Sequence, residues 1–178
     1  MKINEQIIIA GFGGQGILFA GKFLAYAGLM QEYEVAWLPS YGPEMRGGTA
    51  NCNVTISETP VGSPIIITGT SLIAMNTPSL DKFENDIEAG GKIFVDSTLI
   101  SKKVSRTDVS AYYIPATQLA LDNNLKGLAN MIMMGKFIKE TGICPKEMIE
   151  KALSKTIPPK KADMFEKNMK AIEIGYNY

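Results

Sequence analysis

The chain has 178 residues, of which 46% are hydrophobic and 20% are charged, and its 18 basic residues balance its 18 acidic residues. This length suits one domain better than two. The charge balance excludes a nucleic-acid binder that works by neutralising phosphates with a cationic excess, and no apolar run approaches the roughly 20 residues of a membrane helix. The chain has no histidine, which excludes Ser-His-Asp and Cys-His catalysis and imidazole metal ligands.

The two cysteines, Cys52 and Cys144, stand far apart and form no CxxC pair. They cannot by themselves hold an iron–sulfur cluster or a structural zinc ion, and we expect both to be small buried thiols in a reducing cytoplasm. The N-terminal residues place an acid before the first apolar run, which is not the pattern of a signal peptide. We therefore expect a cytoplasmic protein with no bound metal.

The N-terminal forty residues predict a strand, a turn, a helix and a second strand. Residues 7–10 form an unbroken apolar run, which is typical of a strand buried on both faces of a parallel sheet. A glycine-rich turn over 11–16 follows, and helical spacing of apolar residues continues from Ile17 to about Met30. Residues 35–38 predict the second strand, which we expect Pro39 to end. Together these elements predict the start of a βαβ unit.

The following elements are shorter. Residues 51–57 alternate polar and apolar side chains and predict a strand with one wetter face. Up to residue 114 the other predictions are short apolar runs at 65–67 and 72–75, a helix at 78–85, and strands at 92–96 and 112–114.

The C-terminal third is predicted to be helical, over residues 117–123, 128–141, 145–156 and about 160–174. Mixed Lys and Glu residues from Lys139 onward indicate solvated helix faces. The chain as a whole, residues 1–178, predicts a single α/β domain: a Rossmann-like, three-layer domain with a mainly parallel sheet and a helical C-terminal third.

The turn after the first strand matches the spacing of a dinucleotide-binding fingerprint at Gly11, Gly13 and Gly16. Glycines let backbone N–H groups approach an anion, and the N-terminus of the next helix adds partial positive charge. The fingerprint also needs an acid at the end of the second strand, and Glu34 comes too early. A phosphate-bearing ligand, a purely structural tight turn and a subunit contact are the alternatives.

A second candidate is the loop over residues 39–49, whose Pro and Gly pairs exclude regular structure. Loops of this length are usually functional. Arg46, one of two arginines in the chain, could present its planar guanidinium to a carboxylate or phosphate, or simply be an exposed loop charge.

A third candidate lies on a predicted helix, where Asn130 precedes a methionine-rich run at 131–134. Methionines at helical spacing favour a core or an adaptable interface. We expect Asn130, polar within an apolar helix, to cap it or to bond to a neighbouring loop.

These motifs resemble those of the gamma subunit, or gamma domain, of the 2-oxoacid:ferredoxin oxidoreductases. Residues 11–16 are similar to the family's GxGGQG turn, and residues 40–48 to its SYGPEMRGG segment. Ser63-Pro64, residues 115–117 and residues 130–135 follow in the family's order, so the resemblance covers roughly residues 5–140, with C-terminal helices at 145–174. The form is most similar to 2-oxoglutarate-type gamma subunits.

The resemblance implies oxidative decarboxylation of a 2-oxoacid with coenzyme A to acyl-CoA, carbon dioxide and reduced ferredoxin. It implies alpha and beta subunits, with or without a ferredoxin-like delta subunit, and ferredoxin as the acceptor. Thiamine diphosphate, Mg²⁺ and [4Fe-4S] clusters would be held by those partners, with no cofactor bound and no catalytic residue supplied by this chain alone. Partnership with nucleic acid or a membrane is not expected, and a homodimer of the isolated chain stays open.

Within such a complex the turn and Arg46 would dock coenzyme A phosphates or a neighbouring subunit, and the loop would border the route to thiamine diphosphate. The expected binding residues are Gly11, Gly13, Gly14, Gln15, Gly16, Tyr41, Met45, Arg46, Gly47, Gly48, Thr49 and Asn130. The alternatives are a free-standing nucleotide-dependent oxidoreductase and the beta subunit of an indolepyruvate ferredoxin oxidoreductase.

Overall fold

A six-stranded sheet forms the middle of the protein in the computed structural model, which describes residues 3–40 and 49–178. The strands are β1 Asn4–Phe12, β2 Glu34–Ser40, β3 Thr49–Ser57, β4 Gly69–Ala74, β5 Ile87–Asp96 and β6 Ser110–Ile114. They lie in the order β2-β3-β1-β4-β5-β6. β1, β4, β5 and β6 pair in parallel, whereas β3 runs antiparallel to both β1 and β2. The predicted mainly parallel α/β sheet is confirmed.

Within the described residues, six α-helices cover the sheet unequally: α1 Ile17–Leu29, α2 Thr77–Phe83, α3 Ala116–Asp122, α4 Ala129–Thr141, α5 Lys146–Thr156 and α6 Ala162–Asn177. The larger core lies under α1, α3 and α4, onto which α5 and α6 pack. The opposite face carries α2 and a smaller core. No helix in the described ranges is both long and apolar enough to span a membrane. The predicted helical C-terminal third is confirmed, with each helix end within three residues of its predicted position.

β1, α1 and β2 form the predicted strand–helix–strand unit, because β3 runs antiparallel to both strands and they are therefore parallel to each other, but the two strands are not neighbours in the sheet. β3 lies between them and pairs with β1 over nine residues, from Asn4 opposite Ser57 to Phe12 opposite Thr49. The alternating pattern of residues 51–57 explains the insertion, because an antiparallel strand can have one face in the core and one polar face. Cys52, Val54 and Ile56 enter the core, as that pattern requires.

The prediction that Pro39 ends the second strand is wrong. Pro39 lies inside β2, opposite Cys52. β2 is an edge strand with a single neighbour, so its outer side has no hydrogen-bond ladder for a proline to interrupt. The apolar run at 65–67 forms no strand, and Ile65 and Ile67 are 64% and 84% exposed.

The methionine-rich stretch of α4 belongs to the core, as predicted. Met131, Met133 and Met134 have no exposed surface and contact the same cluster as β1 and α1. Cys52 and Cys144 are buried free thiols, as predicted. These side chains serve the packing of the domain and leave no role for a methionine-lined cofactor site.

α4 and α6 cross at two glycines, one on each helix. A Cβ atom on Gly135 would overlap the backbone of Ile172 and Tyr176 on α6, and one on Gly175 would overlap the backbone of Ile132 on α4. The backbones of the two helices are therefore in direct contact at these glycines. A residue larger than glycine at either position would push the helices apart. This contact holds α6 against the layer that carries α1 and α4.

A buried carboxylate lies on the opposite side of the sheet, in the 3-10 turn after α2. Glu84 is 4% exposed, and its Oε2 accepts from the Ser105 amide at 3.1 Å while its Oε1 accepts from Lys102 Nζ at 3.1 Å. Burial would raise the pKa of the Glu84 carboxyl, but the Ser105 and Lys102 donors outweigh it and hold that pKa below its usual value. The ionised carboxylate therefore joins α2 to the segment before β6.

We expect Glu84→Gln to lower the free energy of unfolding by about 1–2 kcal/mol at pH 7, because a charge-assisted pair of hydrogen bonds is lost. A depressed folded-state pKa stabilises the fold above the unfolded-state pKa of about 4.3, and this stabilisation disappears as the pH falls through the folded-state value. Urea unfolding at neutral pH and at about pH 3.5 should therefore show the difference shrinking in acid. The same substitution at exposed Glu88 should leave stability unchanged at both pH values.

Candidate functional site

The glycine turn follows β1 at the carboxyl edge of the sheet, where open α/β sheets bind ligands. The Gln15 amide donates to the Phe12 carbonyl at 3.2 Å, which closes a four-residue turn. Its third residue, Gly14, has φ +94°, a conformation that side chains rarely adopt. Among the described residues, nothing lies within 4 Å of a Cβ position on Gly14.

Gln15 shapes this turn through both ends of its side-chain amide. Its Oε1 accepts from the Phe12 amide at 2.6 Å, and its Nε2 donates to the Met75 carbonyl at the end of β4 at 3.0 Å. A Cβ atom on Gly11 would come within 2.5 Å of Gln15 Oε1. Gly11 and Gln15 therefore determine where the turn sits above the sheet.

Asn130 fixes the other end of the turn. Its Nδ2 donates to the Gly16 carbonyl at 2.9 Å, which confirms the expectation that Asn130 bonds to a neighbouring loop. Gly16 has φ +72°, and a Cβ atom there would lie 2.5 Å from Asn130 Nδ2. The structure therefore brings Gly11, Gln15, Gly16 and Asn130 together at the start of α1, with Gly13 and Gly14 at its surface.

The N-terminus of α1 behind this turn has no side-chain cap and no acidic residue in its first turn. The first N–H groups of a helix lack partners within the helix and carry partial positive charge. An exposed glycine turn leading into such a helix end has the backbone geometry and partial charge that suit an anion such as phosphate.

The loop between β2 and β3, which carries the second motif, begins and ends beside the glycine turn. β2 ends at Ser40, opposite Asn51, and β3 begins at Thr49, opposite Phe12. Ser40 and Thr49, the two ends of the intervening segment, therefore lie at the carboxyl edge of the sheet. The predicted site residues Tyr41, Met45, Arg46, Gly47 and Gly48 lie outside the described residues, and of Thr49 the structure describes the strand position.

The described residues of the chain do not provide a ligand set for a metal ion or an iron–sulfur cluster. Across residues 3–40 and 49–178, no three His, Cys, Asp or Glu side chains come together as a ligand set. Burial raises the pKa of Cys52 and of Cys144 to about 12, so both thiols stay protonated, whereas metal ligation needs thiolates. No step of chemistry on a cluster can be assigned to these residues.

A groove of about 530 Å³ lies beside Gly16, and no motif in the sequence predicted it. It lies between the starts of α1 and α4 and the outer helices α5 and α6, and Lys161 and Asn168 line it. One signal pointed to it: Asn168 is a polar residue on the apolar stripe that also contains Ala171, Ile172 and Gly175.

Residues 6–178 match the family described as pyruvate ferredoxin/flavodoxin oxidoreductase. The chain is 37% identical to the 2-oxoglutarate synthase subunit KorC of Methanocaldococcus jannaschii, over 99% of this chain and 94% of that protein.

Among solved structures, the chain is similar to the gamma subunit of a keto/oxoacid ferredoxin oxidoreductase from Geobacter sulfurreducens. The TM-score is 0.82 at 29% identity, with 97% of this chain and 96% of that chain covered. A 2-oxoglutarate:ferredoxin oxidoreductase from Magnetococcus marinus, with 2-oxoglutarate, coenzyme A and succinyl-CoA bound, shares the fold. Its TM-score is 0.87 at 24% identity, and the match spans 99% of this chain but 31% of that chain.

Proposed function

The chain belongs to the pyruvate ferredoxin/flavodoxin oxidoreductase family, and from this membership we propose that it is the gamma subunit of a cytoplasmic 2-oxoacid:ferredoxin oxidoreductase. The complex would convert a 2-oxoacid and coenzyme A to an acyl-CoA and carbon dioxide, with the electrons passed to ferredoxin. Alpha and beta subunits, with or without a delta subunit, would complete it. Thiamine diphosphate and the iron–sulfur clusters on those subunits would supply the decarboxylation and the electron transfer.

The role of this chain in that reaction is to bind and orient coenzyme A. The observation that carries this role is the open glycine turn at the uncapped N-terminus of α1, held in position by Gln15 and Asn130. Such a site suits the phosphates of coenzyme A. Coenzyme A bound to the Magnetococcus marinus enzyme, which shares this fold, supports the choice of ligand. Arg46 would add its guanidinium beside the turn.

The fold disfavours a free-standing dinucleotide-dependent enzyme. A dinucleotide site uses an acid at the end of the strand next to β1 to grip the ribose. Here β3 occupies that neighbouring position in the sheet, and β2 ends at Leu38, Pro39 and Ser40. The turn is therefore better suited to a phosphate group than to a complete dinucleotide.

Purification of the chain with its partners from its own cells tests the proposed function. We expect a thiamine-binding and a cluster-binding subunit to copurify, and the preparation to reduce ferredoxin or viologen only when both a 2-oxoacid and coenzyme A are present. 2-Oxoglutarate is the first substrate to assay, since the KorC relative is named as a subunit of a 2-oxoglutarate synthase. A preparation that instead prefers indolepyruvate would identify the alternative complex. A chain that purifies alone and binds NAD or FAD would contradict the proposal.

A further inference from the structure

Residues 58–68 join β3 to β4 at the end of the sheet that lies opposite the glycine turn. The segment follows Ser57, which pairs with Asn4 at the start of β1, and it leads into β4 at Gly69. It therefore lies at the amino edge of the sheet, where the parallel strands begin. A protein bound there would leave the glycine turn, at the carboxyl edge, free for its ligand.

This segment exposes two isoleucines. Ile65 and Ile67 are 64% and 84% exposed, and no other large apolar side chain in the described ranges exposes a larger fraction of its surface. Pro64 beside them is also exposed. A cluster of exposed apolar side chains indicates a contact surface, which we name the isoleucine patch: Pro64, Ile65 and Ile67.

Contacts with the rest of the domain hold the segment in position. At its start, the Glu58 amide donates to the Ile3 carbonyl at 3.0 Å. Just past its end, the Gln6 amide donates to Thr70 Oγ1 at 3.0 Å. Between the two exposed isoleucines, Ile66 packs against the smaller core. The isoleucine patch is therefore presented on a segment that is anchored at both ends and in the middle.

A polar pocket of about 320 Å³ adjoins the patch, and Ile65 forms part of its wall. Among the described residues, none that lines this pocket is charged. The lining side chains that carry hydrogen-bonding groups are Asn4, Gln6, Thr55, Ser57, Thr59 and Ser63. Apolar anchors beside uncharged polar groups are typical of protein–protein interfaces, whose cores are depleted of charge and whose rims are polar.

We propose that the isoleucine patch and this pocket dock the chain onto another subunit of the oxidoreductase. The proposal rests on the proposed function, in which alpha and beta subunits are the partners of this chain. The partner surface that fits is uncharged: an apolar hollow receives Ile65 and Ile67, and a projecting polar segment enters the pocket. Burial of the isoleucines supplies binding free energy, and hydrogen bonds in the pocket set the orientation.

A second copy of this chain fits the same surface poorly. In a symmetric dimer the same surface contacts itself. If the isoleucines of the two copies met each other, they would hold the two pockets apart and leave them unfilled. If each copy placed its isoleucines in the other's pocket, apolar side chains would cover hydroxyl and amide groups without hydrogen bonds, which is costly. The surface is therefore complementary to a different chain.

Replacement of both isoleucines by serine tests the patch in the assembled enzyme. The tagged chain and its Ile65→Ser, Ile67→Ser double variant are purified from the protein's own cells, and the thiamine-binding and cluster-binding subunits are quantified per gamma chain. We expect the variant to recover at least about tenfold less of these subunits, because the interface loses its apolar anchors. The melting temperature of the full chain alone should change by no more than about 1 °C, because both side chains are exposed.

Leu99→Ser, Leu121→Ser is the matched control. These leucines are 45% and 51% exposed and lie outside both the patch and the pocket. The control should recover the partner subunits in the same amounts as the unchanged chain. A double isoleucine variant that recovers its partners fully, or a control that loses as much as that variant, would overturn the proposal.

Substitution of Gly62 tests the pocket separately. Gly62 lines the pocket, and within the described structure nothing lies within 4 Å of a Cβ position on it. The indole of Gly62→Trp would obstruct the pocket and should lower the recovery of partner subunits at least about tenfold, whereas Gly62→Ala should not. Full recovery with Gly62→Trp would overturn the part of the proposal that concerns the pocket.

These results distinguish this proposal from the proposed function. If the unchanged chain and the double isoleucine variant copurify equally with the partner subunits, the docking proposal fails alone. If the unchanged chain copurifies with no other subunit, the proposed function fails and the docking proposal with it. If analytical ultracentrifugation shows that the chain alone is a dimer and the double variant a monomer, the patch binds a second copy and the docking proposal is overturned.

Discussion

Alanine in place of Gly135 is expected to lower the free energy of unfolding by about 3 kcal/mol or more. The added methyl group would meet the backbone of Ile172 and Tyr176, which cannot rotate away as a side chain can. α4 and α6 would have to separate along their crossing, and the helix layer above the sheet would lose packing. Gly175→Ala should have a similar cost, because its Cβ atom would meet the backbone of Ile132.

Urea unfolding followed by circular dichroism measures this effect, with Gly62→Ala as the control. In the part of the chain that the structure describes, nothing lies within 4 Å of a Cβ position on Gly62, so its alanine variant should match the unchanged chain. The double variant Gly135→Ala, Gly175→Ala should cost less than the sum of the two, since one separation of the helices relieves both. Single variants as stable as Gly62→Ala would show that the two helices do not cross this closely.

Gln15→Ala is expected to raise the Michaelis constant for coenzyme A at least about tenfold in the assembled enzyme. The change removes both bonds of the Gln15 amide and leaves the Phe12 amide and the Met75 carbonyl without a partner. The turn then loses its position above the sheet, at a stability cost of about 2 kcal/mol for the two bonds. Steady-state kinetics at varied coenzyme A measures the first effect and urea unfolding the second.

Gln31→Ala is the matched control for this substitution. The Gln31 side chain likewise makes two hydrogen bonds to backbone, both donated by Nε2, to the carbonyls of Ala27 at 2.9 Å and Ile143 at 3.0 Å near the far end of α1. It should lower stability to a similar degree without changing the Michaelis constant. Gln15→Glu adds a negative charge beside the anion site and should raise the Michaelis constant further. Unchanged coenzyme A kinetics in both Gln15 variants would leave the turn a purely structural feature.

Much of the fold was predictable because the determining forces are local. The buried run at 7–10, the glycines that follow it and the helical spacing from Ile17 specify β1, the turn and α1 without reference to distant residues. The order of the strands in the sheet, in contrast, is not determined by local sequence, because it depends on which distant strands pair with each other. The position of β3 between β1 and β2 follows from pairing across a loop, and the residues of β3 show only that one of its faces is polar.

The site was predicted in part for the same reason. The turn is continuous in sequence, so its glycines were evident, but the partner atoms that give each residue its role come from elsewhere. Gln15 acts through Met75 and Gly16 through Asn130, at sequence separations of 60 and 114 residues. The groove at Asn168 depends on how α6 packs against α4, and its one local signal is the polar Asn168 on the apolar stripe of α6.

The nine-residue pairing of β1 with β3 also has a mechanical consequence. One end of this ladder joins Phe12, the first residue of the glycine turn, to Thr49, where the chain returns from the arginine-bearing loop. The turn and the end of the loop are therefore joined directly across one antiparallel ladder of nine residue pairs. A partner subunit that displaced the end of the loop along β3 would have to strain this ladder, so binding at the loop and the position of the turn would be coupled.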